Sequence, residues 1–199
     1  MPRKVGAVIL AAGGSRRLRR PKQLLVWHGE TLLRRAVRAA HEGGCARIAV
    51  VTGAIEEPIA AELESGPAVA LVHNPEWERG LGSSVRRGVR HLRETDALVL
   101  LACDQPFVSG AIVSALISQW DASGHPIVAS RYADTLGVPA LFDRSCFADL
   151  LRLPDDEGAK SIIRSSTDPV GKVDFPEGAI DIDTPADYAQ LCERPPPSL

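Results

Sequence analysis

Five short apolar runs, nearly unbroken by polar residues, alternate along the chain with segments of helical periodicity. The runs cover residues 7–10, 47–51, 69–72, 97–101 and 126–130. Uninterrupted apolar runs of this length are typical of strands that are buried on both faces. Between them, apolar stripes predict three amphipathic helices, made by Leu32, Leu33, Ala36, Val37 and Ala40, by Val85, Val89 and Leu92, and by Ile112, Val113, Leu116, Ile117 and Trp120. This alternation predicts parallel βαβ units and an α/β sheet covered by helices on both faces.

The second half of the chain is less regular. Residues 139–142 predict another strand, residues 145–153 a helix, and residues 180–191 a strand end that turns into a helix. In that last segment Thr184 is the predicted N-cap, and Pro185 takes the first helical position, where a missing backbone N–H costs least. We expect this turn to fix the carboxylates that precede it.

Length and composition fit one domain of ordinary size. The chain has 199 residues, of which 45% are hydrophobic and 24% are charged, as in average globular proteins. We expect a single domain over residues 1–192 and a flexible proline-rich tail over residues 193–199. The cysteines lack zinc-site spacing and are interpreted as reduced core residues; they are Cys45, Cys103, Cys146 and Cys192.

The charge balance narrows the classes of partner. A formal net charge of −2 argues against a nucleic-acid binder, which needs a broad basic surface. No apolar run approaches the roughly 18 residues of a membrane span, and the first apolar stretch is shorter than a signal peptide requires. We therefore expect a cytoplasmic protein that binds neither nucleic acid nor membrane.

A basic, glycine-containing loop follows the first predicted strand, at the sheet edge where ligands bind in open parallel sheets. Gly13 and Gly14 can bring backbone N–H groups close to an anion. The cations that follow are Arg16, Arg17, Arg19, Arg20 and Lys22. The spacing is neither G-x-G-x-x-G nor G-x-x-x-x-G-K-[ST], which argues against a nicotinamide-dependent oxidoreductase. On residue types alone, a phosphate-binding loop and a solvated surface loop are equally good interpretations.

Three aspartates could supply a metal site beside this loop. Asp104 lies at the end of the buried strand that the fourth apolar run predicts, and an unpaired carboxylate at that place is costly. Asp181 and Asp183 alternate in an extended segment, so we expect only one of them to join Asp104. One or two carboxylates together with substrate phosphates and waters are the usual ligands of Mg²⁺. The alternative role of Asp104 is helix capping ahead of Ser109.

Six short motifs occur in order along nearly the whole chain. The first, L-A-A-G-x-S-x-R-[MF]-G-x-P-K, is met by Leu10, Ala11, Ala12, Gly13, Ser15, Arg17, Pro21 and Lys22. The others are NPEWERGLGSS (74–84), DQP (104–106), GVPALF (137–142), DEGAK (156–160) and IDIDTPADY (180–188). Together they resemble the MobA-like nucleotidyltransferases, and most closely the molybdenum cofactor cytidylyltransferases.

The resemblance implies a fold, a reaction and a set of partners. The expected fold is a Rossmann-like three-layer sandwich with a mostly parallel sheet, of the nucleotide-diphospho-sugar transferase type. The expected enzyme uses CTP and Mg²⁺ to transfer CMP to the terminal phosphate of molybdenum-molybdopterin, which forms molybdopterin cytosine dinucleotide and releases pyrophosphate. A molybdenum hydroxylase apoenzyme is a further expected partner.

The resemblance also assigns roles to residues by position. The residues implied in nucleotide binding are Ala12, Gly13, Gly14, Ser15, Lys22, Gly82, Ser83 and Ser84. Those implied in catalysis are Arg17, Lys22 and Asp104, with the two cations on the phosphates. Asp104 and Asp183 are the implied metal ligands. No general base is needed because the nucleophile is already an anion, and the five histidines form no catalytic cluster in the sequence.

Two departures from the family pattern qualify these expectations. Arg19 stands where the family usually has glycine, and it would be strained in a loop that needs a positive φ there. Lys160 stands in place of the more usual arginine and loses the bidentate fork. The alternatives that remain open are a guanylyltransferase, an NTP transferase with another phosphate or alcohol acceptor, and a delivery factor that binds the molybdenum cofactor without turnover.

Overall fold

All five apolar runs form strands of one sheet in the protein, whose structure is a computed structural model that describes residues 3–195. The strands are β1 Val5–Leu10, β2 Val26–Trp27, β3 Glu30–Thr31, β4 Arg47–Thr52, β5 Ala70–His73, β6 Ala97–Ala102, β7 Ile127–Tyr132, β8 Thr135–Asp143 and β9 Val170–Asp174. The helices are α1 Leu32–Glu42, α2 Glu56–Glu62, α3 Leu81–His91, α4 Gly110–Ser123, α5 Phe147–Leu150, α6 Lys160–Ser165 and α7 Pro185–Cys192.

The main sheet has seven strands in the order β5-β4-β1-β6-β8-β7-β9. Strand β8 runs antiparallel to both of its neighbours, whereas the other pairs are parallel. Strands β2 and β3 form a separate two-stranded ribbon. The predicted mostly parallel α/β sheet is therefore confirmed.

Helices cover both faces of this sheet, which makes the predicted three layers. One hydrophobic cluster joins α1 and α4 to the sheet, with Leu33 and Leu116 among its fully buried members. A second cluster joins α3, α5 and α6 to the other face, with Val89 and Leu150 among its buried members. A third, smaller cluster lies beneath the basic loop and consists of Leu18, Leu25, Trp27, Leu32, Ile182 and Leu191.

The register of the central strands determines where the loops emerge. Leu10 at the end of β1 pairs with Ala102 at the end of β6. Because these strands are parallel, the loops that follow them leave the same edge of the sheet side by side. The segment before α7 reaches this edge too, since the Ile182 N–H donates to the Asp104 carbonyl at 3.0 Å.

Three expectations need correction or fall outside the described residues. Residues 180–183 form no strand: they follow a 3-10 turn and make a single backbone hydrogen bond with the Asp104 region, too little for a ladder. Cys192 is exposed rather than in the core, because it ends the surface helix α7, whereas the other three cysteines are buried. Of the predicted tail 193–199, residues 196–199 lie outside the described residues.

The N-cap prediction for α7 is confirmed. The Thr184 hydroxyl accepts from the Asp187 N–H at 3.2 Å, and the Asp187 carboxylate accepts from the Thr184 N–H at 2.7 Å. This reciprocal capping box fixes the chain direction just after Asp183.

Within residues 3–195, no helix is both long enough and apolar enough to span a membrane.

Helix α3 lies so close to β1 that a methyl group at Gly88 would not fit. A Cβ there would come within 2.3 Å of Cγ1 of the fully buried Val8. We expect Gly88→Ala to lower the free energy of unfolding by about 1 to 3 kcal/mol through overpacking, although alanine is the better helix former. Urea denaturation measures this change.

Val8→Ala supplies the matched control because it removes the obstructing methyl groups. The double variant Val8→Ala/Gly88→Ala is expected to lose less stability than the sum of the two single variants, by about 1 kcal/mol. Additive losses would contradict close contact between Gly88 and Val8 as the cause.

Candidate active site

A buried glutamine shapes the loop between β1 and β2. The Gln23 side chain is fully buried, and its Nε2 donates to the Ala11 carbonyl at 2.7 Å and to the Gly13 carbonyl at 2.8 Å. The Lys22 N–H also donates to the Ser15 hydroxyl at 3.0 Å. These bonds tie the start of the loop to its end, so the residues between them are held at the sheet edge.

The loop keeps left-handed backbone conformations at two residues with side chains. Ser15 has a φ of 49° and Arg19 a φ of 58°. Arg19 therefore adopts the conformation that favours glycine, and the loop retains the turn rather than being remodelled around the arginine. The Leu18 and Arg19 N–H groups both donate to the Ser15 carbonyl at 3.1 Å, which closes that turn.

Lys22 connects the two predicted metal-binding aspartates. Its ammonium group forms ion pairs with Asp104 Oδ2 and with Asp183 Oδ1, the latter at 3.2 Å. The other oxygen of Asp183 accepts from Arg17 Nη2 at 2.6 Å. The structure therefore brings together all four residues to which sequence reasoning assigned catalytic or metal-binding roles: two cations and two carboxylates.

The electrostatics of this cluster favour the charged form of Lys22 and disfavour the charged form of Asp181. Partial burial opposes the charge on Lys22, but the neighbouring carboxylates, Asp104 above all, raise the pKa of its ammonium group well above the usual range. Loss of hydration and the charges of Asp104 and Asp183 raise the pKa of Asp181 to about 6. Of the two alternating aspartates, Asp183 is the one that shares Lys22 with Asp104, whereas Asp181 contributes charge nearby.

A cavity of about 510 Å³ opens beside the cluster. Five of the residues to which the resemblance assigns nucleotide-binding or catalytic roles line it, namely Ala12, Gly13, Lys22, Ser84 and Asp104. The remaining walls are mostly apolar and comprise Leu10, Arg16, Trp77, Glu78, Gly80, Leu81, Ala102, Tyr132, Gly137, Val138, Gly158, Ala159 and Lys160. Its volume lies within the ordinary range of small-molecule sites.

Gly14 and Ser15 line a shallower, basic depression of about 250 Å³ next to this cavity. Gly13 and Arg16 border both spaces, and Arg19, Arg20, Pro21 and Ile55 complete the depression. Arg17 lies outside both linings because its guanidinium is turned toward Asp183.

The predicted Gly82–Ser84 segment divides between packing and the cavity. A Cβ at Gly82 would meet the Pro154 carbonyl at 1.9 Å, and the Gly82 N–H donates to the Asp155 carbonyl at 3.0 Å. The buried Ser83 hydroxyl donates to the Gly80 carbonyl at 2.8 Å. Of these three described residues, Ser84 is the one that lines the cavity, while Gly82 and Ser83 hold the turn that presents it.

Sequence reasoning missed the supporting role of several residues. Gln23 was not singled out as a loop anchor, although a glutamine in an otherwise apolar turn is the signal that could have found it. Tyr132 lines the cavity and donates its hydroxyl to the Val138 carbonyl at 2.9 Å.

Trp77 is a different case, because an aromatic residue just before the 80–84 turn can be interpreted from the sequence either as a wall of a pterin pocket or as packing for the turn. In the structure it lines the cavity and packs over Gly53 and Gly14, where a Cβ would meet its ring at 2.6 and 3.0 Å.

The donor set fits a hard divalent cation completed by a substrate. Asp104 and Asp183 present carboxylate oxygens, the atoms that Mg²⁺ and Mn²⁺ prefer. Among residues 3–195, no group of three or more His, Cys, Asp or Glu side chains is arranged to hold a metal ion without help. The two carboxylates therefore suit an ion whose other ligands are phosphates and waters rather than a resident structural metal.

Residues 7–170 match the MobA-like NTP transferase domain, and the chain belongs to that family. It is therefore a nucleotidyltransferase. It is 24% identical over 190 residues to the molybdenum cofactor cytidylyltransferase of Escherichia coli, a match that covers 96% of each chain. It is also 33% identical over 143 residues to the nicotine blue oxidoreductase of Paenarthrobacter nicotinovorans, which covers 62% of this chain and 70% of that one.

Solved structures agree with the family assignment. Rv0371c of Mycobacterium tuberculosis superimposes with a TM-score of 0.83 at 31% identity, covering 98% of this chain and 100% of that one. A second crystal structure of the same protein is a complex with manganese, and it superimposes with a TM-score of 0.79 at 30% identity.

The left-handed backbone at Arg19 yields a stability prediction. Glycine has no Cβ to clash in this conformation, whereas alanine keeps the clash. We expect Arg19→Gly to be more stable than Arg19→Ala by about 0.5 to 1 kcal/mol, after the greater freedom of glycine in the unfolded chain is subtracted. Both variants lose the guanidinium, so urea denaturation of the pair isolates the backbone effect. Equal stabilities, or a less stable glycine variant, would contradict strain at this residue.

Proposed function

We propose that the protein transfers CMP from CTP to the terminal phosphate of molybdenum-molybdopterin and releases pyrophosphate. The observation that carries the proposal is the Lys22 ammonium between Asp104 and Asp183 at the edge of the cavity. A basic loop with accessible backbone, paired carboxylates and a cavity of nucleotide size lie together at the carboxyl ends of β1 and β6. This combination suits phosphoryl chemistry on a bound nucleotide.

The positively charged side chains of the site account for the proposed transfer between phosphates. Attack by one phosphate on the α-phosphorus of another is opposed by repulsion between anions, so alignment and neutralisation supply most of the catalysis. Lys22 and Arg17 are close enough to each other, through Asp183, to act on one triphosphate group. Their proposed role is to bind the phosphates and stabilise the departing pyrophosphate. All five histidines lie within the described residues and none lines the cavity, in keeping with a nucleophile that is already anionic.

Asp104 and Asp183 are the residues that would hold a divalent cation, which we propose to be Mg²⁺. When bound, such an ion supplies Lewis-acid stabilisation of charge on the phosphates. Asp104 is the better anchored of the two because it lies two residues after the end of β6 and its side chain is only 19% exposed, against 37% for the Asp183 side chain. The manganese complex of the M. tuberculosis relative supports a divalent ion in this family.

The walls of the cavity suit an acceptor that carries a ring system. Trp77, Tyr132 and Leu81 offer flat or apolar surface, which favours a pterin over a small sugar. The name of the E. coli relative supports both the cofactor and CTP. We further propose that the product passes to a molybdenum hydroxylase apoenzyme.

An oxidoreductase function has less support in this chain. The relative from P. nicotinovorans bears that name, but the first loop here lacks G-x-G-x-x-G spacing. An ammonium group bridging two carboxylates also has no evident role in hydride transfer.

Pyrophosphate release tests the proposal directly. With Mg²⁺ and molybdenum-loaded molybdopterin, we expect pyrophosphate release with CTP and little or none with GTP. The expected product contains cytosine and the pterin, joined through the α-phosphate of CTP and the terminal phosphate of molybdopterin. Release with GTP alone would instead indicate a guanylyltransferase. If the protein binds the molybdenum cofactor but releases no pyrophosphate with either nucleotide, it is a delivery factor. If pyrophosphate is released only when another acceptor is supplied, that acceptor replaces molybdopterin in the proposed reaction.

A variant pair separates chemistry from folding. Asp104→Asn keeps the shape of the side chain but removes its charge, so we expect turnover to fall by at least about 100-fold with an unchanged circular dichroism spectrum. Asp168→Asn makes the same change on an exposed residue that lies in none of the six motifs and does not line the cavity, and we expect it to keep full turnover. Wild-type turnover by Asp104→Asn would remove Asp104 from the metal site.

A further inference from the structure

The backbone of Lys22 is held rigidly while its ammonium group lies at the end of a flexible stem. The residue begins a 3-10 turn at Lys22–Leu24, and its N–H donates to the Ser15 hydroxyl. The next residue, Gln23, is fully buried and bonded to two loop carbonyls. The four-carbon side chain above this anchor can turn without any movement of the loop. Lys22 therefore combines a fixed backbone with an ammonium group that can change its partner.

The ammonium group occupies the carboxylate oxygens that a metal ion would use. It contacts one oxygen of Asp104 and one of Asp183, and only 18% of its own side chain is exposed. Arg17 contacts the other Asp183 oxygen. Both carboxylates of the proposed metal site thus already have cationic partners from the protein.

We propose that Lys22 is a built-in counterion that competes with the divalent cation for Asp104 and Asp183, so that metal and nucleoside triphosphate bind as a coupled pair. The inference deepens the proposed function and rests on its metal site. It concerns the order and coupling of binding rather than the identity of the base or the acceptor.

The coupling follows from charge balance. A divalent cation on the two carboxylates would repel an ammonium group at hydrogen-bond distance from the same oxygens. The displaced ammonium needs a new anion, and Lys22 lines the cavity in which the triphosphate would lie. When the metal displaces the Lys22 ammonium group from the carboxylates, that group therefore binds the triphosphate. Because coupling between two sites is reciprocal, the nucleotide must strengthen metal binding as much as the metal strengthens nucleotide binding.

Metal binding without nucleotide provides the test. Lys22→Met keeps most of the length of the side chain and removes the competing charge. We expect nucleotide-free Lys22→Met to bind Mn²⁺ about tenfold more tightly than the wild type or better, as measured by electron paramagnetic resonance of free Mn²⁺. The same variant should bind CTP more weakly, since the phosphates lose a cation.

Lys160→Met is the matched control. Lys160 lines the same cavity but, among the ion pairs of residues 3–195, forms none with Asp104 or Asp183. Its loss should leave nucleotide-free Mn²⁺ affinity within about twofold of the wild type. Asp104→Asn added to Lys22→Met should abolish the gain, which locates the ion at these carboxylates.

Unchanged or weaker Mn²⁺ binding by folded Lys22→Met would overturn the inference. Circular dichroism checks folding, and Lys22→Gln gives a second neutral side chain with the same expected gain if the methionine variant is unstable. The measurement does not depend on turnover. If Lys22→Met gains Mn²⁺ affinity but the wild-type protein transfers no CMP, the counterion role is supported and the proposed reaction is rejected. If the wild-type protein transfers CMP but Lys22→Met shows no gain, the reaction is supported and the counterion role is rejected.

Discussion

The candidate site depends on one ammonium group that neutralises two carboxylates from distant parts of the chain. Lys22 comes from the loop after β1, Asp104 from the end of β6, and Asp183 from the segment before α7. Without a cation between them, two partly buried carboxylates would repel each other and lose hydration without compensation. The ion pairs thus offset the repulsion between carboxylates where three loops meet at one sheet edge, so that negative charge stays concentrated where a metal and phosphates would bind.

A rigid frame beneath this charge cluster keeps its members in place. The parallel pairing of Leu10 with Ala102 sets the spacing of the first two loops. The buried Gln23 fixes the bend of the first loop, and the capping box at Thr184 fixes the third. Close approach of α3 to β1 at Gly88 brings Ser84 to the cavity. The site is therefore built from strand ends and helix ends, whose positions follow from burial rather than from the charged residues themselves.

Much of this arrangement could be predicted from the sequence because buried parallel strands have a distinctive pattern. The apolar runs, the N-cap at Thr184 and the meeting of Lys22, Asp104 and Asp183 followed from local rules or from the motifs. The antiparallel direction of β8 did not, since residues 139–142 have the same apolar pattern in either direction. Nor did the absence of a strand at 180–183, because alternation is compatible with an extended segment that pairs with nothing. The structural role of Gly82 depends on the Pro154 carbonyl, a contact across 72 residues that no local pattern encodes.

The proposed function requires nucleotide and metal to meet at the cluster of Lys22, Asp104 and Asp183. A crystal structure with Mn²⁺ and a non-hydrolysable CTP analogue, with the ion located by anomalous scattering, tests it most directly. We expect a manganese peak bonded to Asp104 and Asp183, with the Lys22 ammonium group moved onto the phosphates. A manganese peak away from both carboxylates, or a nucleotide bound outside the cavity beside them, would contradict it.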